Sequence, residues 1–259
     1  MTKFFIKILQ GLGLYKFLLH QKRSYDKRNF ERIEKKNALT RLPFYSQFVS
    51  AGDLVFDIGA NVGNRVQVFL EIGCKVVAIE PQQECINELR RKFGTSIDII
   101  EKGLGEKEEE KTLHISDTNT ISSLSEEWIK SVKETRFSKH EWNKTVQIKL
   151  TTMENLIRQF GVPKFCKIDV EGFELEVLKG LKQPVPGLSL EYTVPEQTDK
   201  LLQCIHYCNQ LNPQYRYNYA VGEEMQFRMK SFYNYEQFLQ LIKGKDFQDT
   251  GFGDIYVFA

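Results

Sequence analysis

A chain of 259 residues with 41% hydrophobic residues can bury a sizeable core and fits one large α/β domain with an appendage. Its 36 basic against 34 acidic residues leave a formal net charge of +2, which excludes an overall field that would recruit nucleic acid, a membrane or a polyanionic substrate, so any charged site is local. The five cysteines, Cys74, Cys85, Cys166, Cys204 and Cys208, are scattered without a CxxC pair or metal-ligand spacing, and read as reduced, mostly buried thiols of a cytoplasmic protein.

Residues 1–50 form an expected N-terminal helical extension. The apolar stretches Phe4-Phe5-Ile6 and Leu12 to Leu19 are interrupted by Lys3, Lys7, Gln10 and Lys16, well short of the ~20 apolar residues of a membrane span. A signal peptide fits less well, because no small-residue cleavage site precedes the charged stretch Gln21 to Lys36. The segment reads as an amphipathic helix that packs on the main domain, or that serves as a lid or a peripheral membrane contact.

Pro43 marks a break, and the main domain is expected over 51–259. Leu54-Val55-Phe56 opens a strand, followed by a glycine-bearing turn and a helix over Arg65 to Ile72. Lys75 to Ile79, Gln82 to Phe93 and Ile97 to Glu101 repeat the strand–helix–strand scheme, which implies a parallel sheet with helices on both faces. Gly105 to Ser116 then reads as an exposed hairpin, and Thr118 to Trp142 as a polar segment with helical pieces anchored by Trp128 and Trp142. Regular structure resumes with strands at Val146 to Leu150, Phe165 to Val170 and Leu188 to Tyr192, and helices at Met153 to Phe160, Glu174 to Leu181 and Asp199 to Leu211. Arg216 to Val221 and Asp254 to Phe258 complete the sheet as an antiparallel edge.

Ligands of such sheets bind at the carboxyl ends of the strands, where the first strand-to-helix turn supplies the floor. Asp57-x-Gly59-x-Asn61-x-Gly63 falls on that turn; its glycines and Asn61 permit a sharp backbone, and the following helix points free N–H groups at the ligand. Glu80 ends the second strand, where a carboxylate accepts hydrogen bonds from both hydroxyls of a ribose. A GxGxxG dinucleotide loop is missing its third glycine, and Asp57 would repel a pyrophosphate while suiting the cationic end of S-adenosylmethionine.

That turn, together with Lys167-Ile168-Asp169-Val170-Glu171-Gly172-Phe173-Glu174, closely resembles the FkbM-type methyltransferase family, over roughly Asp53 to Thr193. The resemblance implies a Rossmann-like class I methyltransferase fold, a mostly parallel doubly wound sheet, with S-adenosylmethionine as cofactor. It also implies transfer to a hydroxyl of a sugar, a glycan or a specialised metabolite. Carried over by position, Asp57, Gly59, Asn61 and Gly63 would line the methionine end and Glu80 the ribose. Lys102, Gly103 and Leu104 would lie near the adenine, Ser123 close to the cofactor, and Asp169 between the sulfonium and the acceptor.

An alcohol acceptor has to lose its proton, and Asp169 is the expected general base with Glu171 as second choice; the plainer role for Glu171 or Glu174 is to cap the following helix. His140 is a rival base. No metal is required by the spacing, although Asp169 and Glu191 could take Mg²⁺ in a metal-assisted variant. Tyr192, Tyr215, Tyr217 and Tyr219, with Phe232, Tyr233 and Tyr235, could wall an acceptor or simply pack. Two other classes stay open: a nicotinamide-dependent oxidoreductase, and a non-catalytic binding protein that retains the fold.

Overall fold

The computed structural model describes residues 39–118 and 121–259. The chain divides into two units, Met1–Arg41 and Leu42–Ala259. Only residues 39–41 of the first are described, so the expected amphipathic helix and its lid or membrane roles lie outside the described residues. The second unit begins at Leu42 rather than at 51, because Phe44, Tyr45 and Val49 are buried in one cluster with Val55, Val66 and Phe69. Among the described residues no helix is long and apolar enough to cross a membrane.

Two strand–helix units and a third strand set the frame: β1 (Leu54–Ile58), α1 (Asn64–Ile72), β2 (Lys75–Ile79), α2 (Gln83–Phe93) and β3 (Asp98–Ile100). Helix α1 is bounded by Gly63 and Gly73 at φ 84° and 95°, left-handed angles that glycine adopts without a Cβ penalty. Beyond β3 come β4 (Gly103–Leu104), β5 (Glu110–Ile115), α3 (Glu126–Lys133) and β6 (Lys144–Thr151). Next follow α4 (Met153–Phe160), β7 (Phe165–Ile168), α5 (Glu174–Lys179), β8 (Gly187–Thr193) and α6 (Thr198–Leu211). The chain closes with β9 (Arg216–Val221), α7 (Tyr235–Ile242), α8 (Lys245–Gln248) and β10 (Phe252–Phe258).

Seven strands pair in the order β3-β2-β1-β7-β8-β10-β9. The first five run parallel, and β10 inserts antiparallel between β8 and β9, the edge expected from the sequence. This is a doubly wound α/β architecture, with the strand order reversing beside β1. The hairpin expected within 105–116 is built differently: β5 pairs antiparallel with β6, across the whole 116–143 segment, in a separate sheet of order β4-β6-β5. Sequence proximity suggests a tight hairpin there, yet alternating Leu113 finds its apolar partners on β6, where Ile148 and Leu150 are buried with it.

Because strand side chains alternate, each face of the main sheet has its own core. Phe56, Ile58, Val77, Ile79, Ile168 and Leu190 face α4, α5 and α6. Val55, Val76, Ala78, Phe165 and Tyr256 face α1 and the 42–49 segment. All five cysteines are buried and free.

Candidate active site

Parallel pairing brings the carboxyl ends of β1, β2, β7 and β8 to one edge of the sheet. At the end of β1 the chain turns through Gly59 (φ 80°) and Asn61 (φ 49°). The Gly59 and Ala60 N–H groups donate to the Ile79 carbonyl at 3.0 and 3.1 Å. Glu80 completes the tie to β2: its Oε2 accepts the Asn61 N–H at 2.9 Å and its Oε1 the Gln82 N–H at 2.8 Å. A Cβ at position 59 would run into the Asp169 backbone carbonyl, so the turn also sets how closely β1 and β7 approach.

Two carboxylates in this cradle are buried. Burial pushes Asp57 up to about 6, with Lys167 and Arg65 pulling the other way, and its Oδ2 has no hydrogen-bond partner. Burial likewise pushes Glu80 up to about 7 against the stabilising N–H groups of Gln82 and Asn61.

A second group of acids lies at the ends of β7 and β8. Lys167, inside β7 and 3% exposed at its side chain, donates from Nζ to Asp169 Oδ2 at 2.5 Å. Asp169, Glu171 and Glu191 each bring one carboxylate oxygen within 4.8 Å of the others. Among the described residues neither the Glu171 nor the Glu191 carboxyl has a hydrogen-bond donor, and both are held well above the usual carboxylate range, by burial first and then by neighbouring carboxylates. Oxygens so spaced would admit a hard cation. Lys167 already occupies Asp169 Oδ2 and supplies positive charge there, so protons on Glu171 and Glu191 are the simpler balance.

The loop carrying Glu171 is braced from three sides. Glu171 itself has φ 51° and Gly172 φ 86°, and a Cβ on Gly172 would collide with the buried Trp128 ring of α3. Glu174 Oε1 accepts the Val170 and Gly172 N–H groups at 3.2 and 3.1 Å, so it ties down the loop before α5 rather than capping the helix, which has no side-chain cap. Ser123 Oγ donates to the Glu171 carbonyl at 2.6 Å and Lys200 Nζ to the Gly172 carbonyl at 3.0 Å. These ties fix a strained backbone where a carboxylate must be aimed.

A family model described as the methyltransferase FkbM domain matches residues 57–237, from the first residue of the glycine turn motif to α7. The chain belongs to the FkbM methyltransferase family. Methyl transfer from S-adenosylmethionine is therefore the chemistry its site has to support. No curated protein matches the sequence. Among solved structures the FkbM chain is similar to the precorrin-6Y C5,15-methyltransferase of Geobacter metallireducens GS-15, with a TM-score of 0.44, 10% identity, and 84% of this chain and 85% of that one covered. It is also similar to the plantazolicin methyltransferase BpumL in complex with a pentazolic substrate analogue and SAH (TM-score 0.43, 13% identity, coverage 92% and 88%). A third is an rRNA methylase of Streptococcus thermophilus (TM-score 0.40, 11% identity, coverage 83% and 92%).

The FkbM cradle has the features such a donor demands: an unpartnered buried carboxylate oxygen on Asp57, and a Glu80 that takes one backbone N–H per oxygen and a Gln82 side-chain hydrogen bond, with lone-pair capacity left over. The structure brings Asp57, Gly59, Asn61, Gly63 and Glu80 together on one turn. Lys102 precedes β4, where Gly103 and Leu104 are buried under Leu150, just past the β3 residue Ile100, whose carbonyl accepts the Glu80 N–H at 3.0 Å. Ser123 is 1% exposed, and its hydroxyl is engaged by Glu171 and by the Ser125 N–H, so it supports the loop. His140 pairs with Asp117 in its own segment at 2.7 Å. Three of the tyrosines pack in the core: Tyr215 bonds the Val185 backbone, Tyr217 stacks on Phe238 and Tyr192 packs on Phe247, with Tyr192 also bordering a small cavity beside Glu191. Sequence reasoning passed over Lys167, Arg65 and Asp254, whose signal was charge at inward-facing positions of otherwise apolar elements.

Proposed function

We propose that this FkbM domain is an O-methyltransferase acting on a hydroxyl of a sugar, a glycan or a specialised metabolite, in the cytoplasm and without nucleic acid as substrate. The observation that carries this reading is the pair of donor-free carboxyls, Glu171 and Glu191, beside the Asp57–Glu80 cradle. Transfer to a neutral amine needs no base beforehand, whereas an alcohol needs one close by.

S-adenosylmethionine, when bound, supplies an electrophilic methyl group on a sulfonium. Asp57 and the backbone of Gly59, Asn61 and Gly63 would hold its methionine end, and Glu80 would accept from its ribose. Lys102, Gly103 and Leu104 border the adenine, and Ser123 holds the Glu171 loop against the site. Asp169 would face the cationic centre with its Oδ2 held by Lys167, which leaves the clustered acids free of that contact, Glu171 and Glu191, as the candidate bases. The hydroxyl must lie in line with the methyl–sulfur bond, so the rigid loop contributes by orientation as much as by proton transfer.

The orphan Asp57 oxygen weighs against a nicotinamide dinucleotide, whose pyrophosphate it would repel. Calorimetry with S-adenosylmethionine, S-adenosylhomocysteine and NADH tests the cofactor. Transfer of labelled methyl from the donor to a panel of methyl glycosides tests the acceptor class. Micromolar binding of the first two ligands with base-stable label on oxygen is expected; NADH binding in their place, or label on nitrogen or carbon, would refute the reading.

A further inference from the structure

Glu191 stands apart from the other two acids. It lies on the β8 position that pairs with Asp254 of β10, while Glu171 sits on the loop after β7. Of the three clustered acids, Glu191 alone lines a small cavity, in the company of Trp128, Glu174, Tyr192, Gln197 and Lys200. That cavity offers about 20 Å³ to a water-sized sphere, room for one water or one hydroxyl. Gln197 and Lys200 also line the neighbouring cleft of about 430 Å³, whose walls include Glu127, Glu176, Lys179 and Asp199. A cleft of that size and polarity suits a polyhydroxylated molecule about the size of a sugar residue.

Resting on the methyltransferase reading above, we propose that Glu191 is the catalytic base, that the acceptor hydroxyl reaches it from the cleft at Gln197 and Lys200, and that the positive charge of the bound donor switches it on by driving off its proton. In the free protein burial first, and then the carboxyls that face it, Glu171 and Asp169 at the end of β7, Glu174 of α5 and Asp254 of β10, hold Glu191 well above the usual carboxylate range. The nearby cations are engaged elsewhere. Lys167 bonds Asp169, and Lys200 bonds the Gly172 carbonyl and Ser125. A base that takes the proton of the methylated oxygen must lie within several ångströms of the sulfonium, where a positive charge in a partly desolvated site strongly favours the carboxylate. On binding, the Glu191 proton goes to solvent. In transfer, the hydroxyl proton goes to Glu191, the oxygen–methyl bond forms, and the methyl–sulfur bond breaks with its electron pair left on sulfur.

S-adenosylhomocysteine shares the amino acid, ribose and adenine and lacks only the charged methyl. Protons moved by Asp57 or Glu80 on binding are therefore common to both ligands, and the difference between them isolates groups that sense the sulfonium. Titration calorimetry of the full chain at pH 7.5, in phosphate and in Tris, counts those protons through the buffers' different ionisation heats. The expected result is about one proton more released by S-adenosylmethionine than by S-adenosylhomocysteine. In Glu191→Gln the difference falls to near zero while S-adenosylhomocysteine affinity, which also reports that the variant is folded, stays within about threefold. Equal proton counts for the two ligands in the wild type would overturn the proposal without any variant, as would a difference that survives in Glu191→Gln. No binding of either ligand would instead overturn the methyltransferase reading itself.

Discussion

Glu80→Gln separates the backbone tie made by this carboxylate from the ribose contact proposed for it. In the wild type each oxygen accepts one backbone N–H, from Asn61 at 2.9 Å and Gln82 at 2.8 Å, and keeps further lone pairs for the ribose. Glutamine has almost the same shape but turns one acceptor into an NH₂ donor, which then confronts a backbone N–H. A buried donor left without an acceptor costs about 1–3 kcal/mol. Against this, the substitution removes a carboxyl whose burial raises it to about 7, so at pH 8 part of the cost is offset by relief of a buried charge. The net expectation is a stability loss of roughly 1 kcal/mol at pH 8, larger at pH 6, where the wild-type carboxyl is protonated and no charge relief remains. The cofactor loses more. Hydrogen bonds to a charged acceptor are worth about 1.5–3 kcal/mol each, so removing one ribose partner should weaken S-adenosylhomocysteine binding by roughly 10- to 100-fold. Thermal unfolding at both pH values and calorimetry at pH 8 provide the two numbers. An affinity unchanged within twofold, in a variant with the expected melting shift, would refute the assignment of Glu80 to the ribose while leaving its structural role intact.

Three further outcomes follow from the same geometry. Gly59→Ala, at φ 80° and facing the Asp169 carbonyl, should cost roughly 2–4 kcal/mol in denaturant unfolding, whereas Gly94→Ala, at φ 53° with open space around it, should cost about 1 kcal/mol. Lys167→Met leaves Asp57, Asp169 and Asp254 with less counter-charge and should destabilise by about 3–5 kcal/mol at pH 8, and by clearly less at pH 5.5, where acids can take up protons; equal losses at both would show that the ammonium is not balancing them. Asp57, Glu80 and Glu174 have folded values of about 6, 7 and 7, above their unfolded ones, so the folded state holds more protons and its stability is fully present below the unfolded values and lost as pH rises through 6 to 7. The melting temperature of the ligand-free protein should accordingly fall between pH 5.5 and 8, and a flat profile would contradict the burial of these acids.

The frame was legible because it rests on local pattern. The glycine turn after β1, the apolar runs of β2, β7 and β8, and the antiparallel pair β9 and β10 all announce themselves in the residues that form them. What was not legible depends on pairing at a distance. Nothing near Leu113 says that β5 closes on β6 rather than on its own hairpin, since the partner lies beyond the 116–143 insertion. Nor does Asn234 stand out as the start of α7, although it forms a full capping box with Gln237; the aromatic Tyr233 and Tyr235 around it read equally well as strand. For the site, Asp57 and Glu80 follow from the turn, while the preference for Glu191 over Asp169 needs the Lys167 contact, which no spacing encodes.

The placement of Lys167 also explains why a buried charge is tolerated in β7. Register puts Asp57, Lys167, Ser189, Tyr256 and Asn218 in one row across five strands, one step short of the row that holds Asp169, Glu191 and Asp254. Along this face, in steps of two residues, the sheet thus changes from the aromatic layer of Phe165 and Phe258 to two polar layers and then to the ligand edge. Partners within this layer are incomplete, for among the described residues Asp57 Oδ2 and Ser189 Oγ lack hydrogen bonds. Such a layer stabilises the fold less than an apolar one would. It does hold preset charge beneath the ligand edge, so that the carboxylates meeting a cationic donor need little rearrangement when it arrives. On this account, filling the layer with apolar side chains should raise the melting temperature and lower donor affinity together; a variant such as Ser189→Ala that raised both would break the link between the strain and the site.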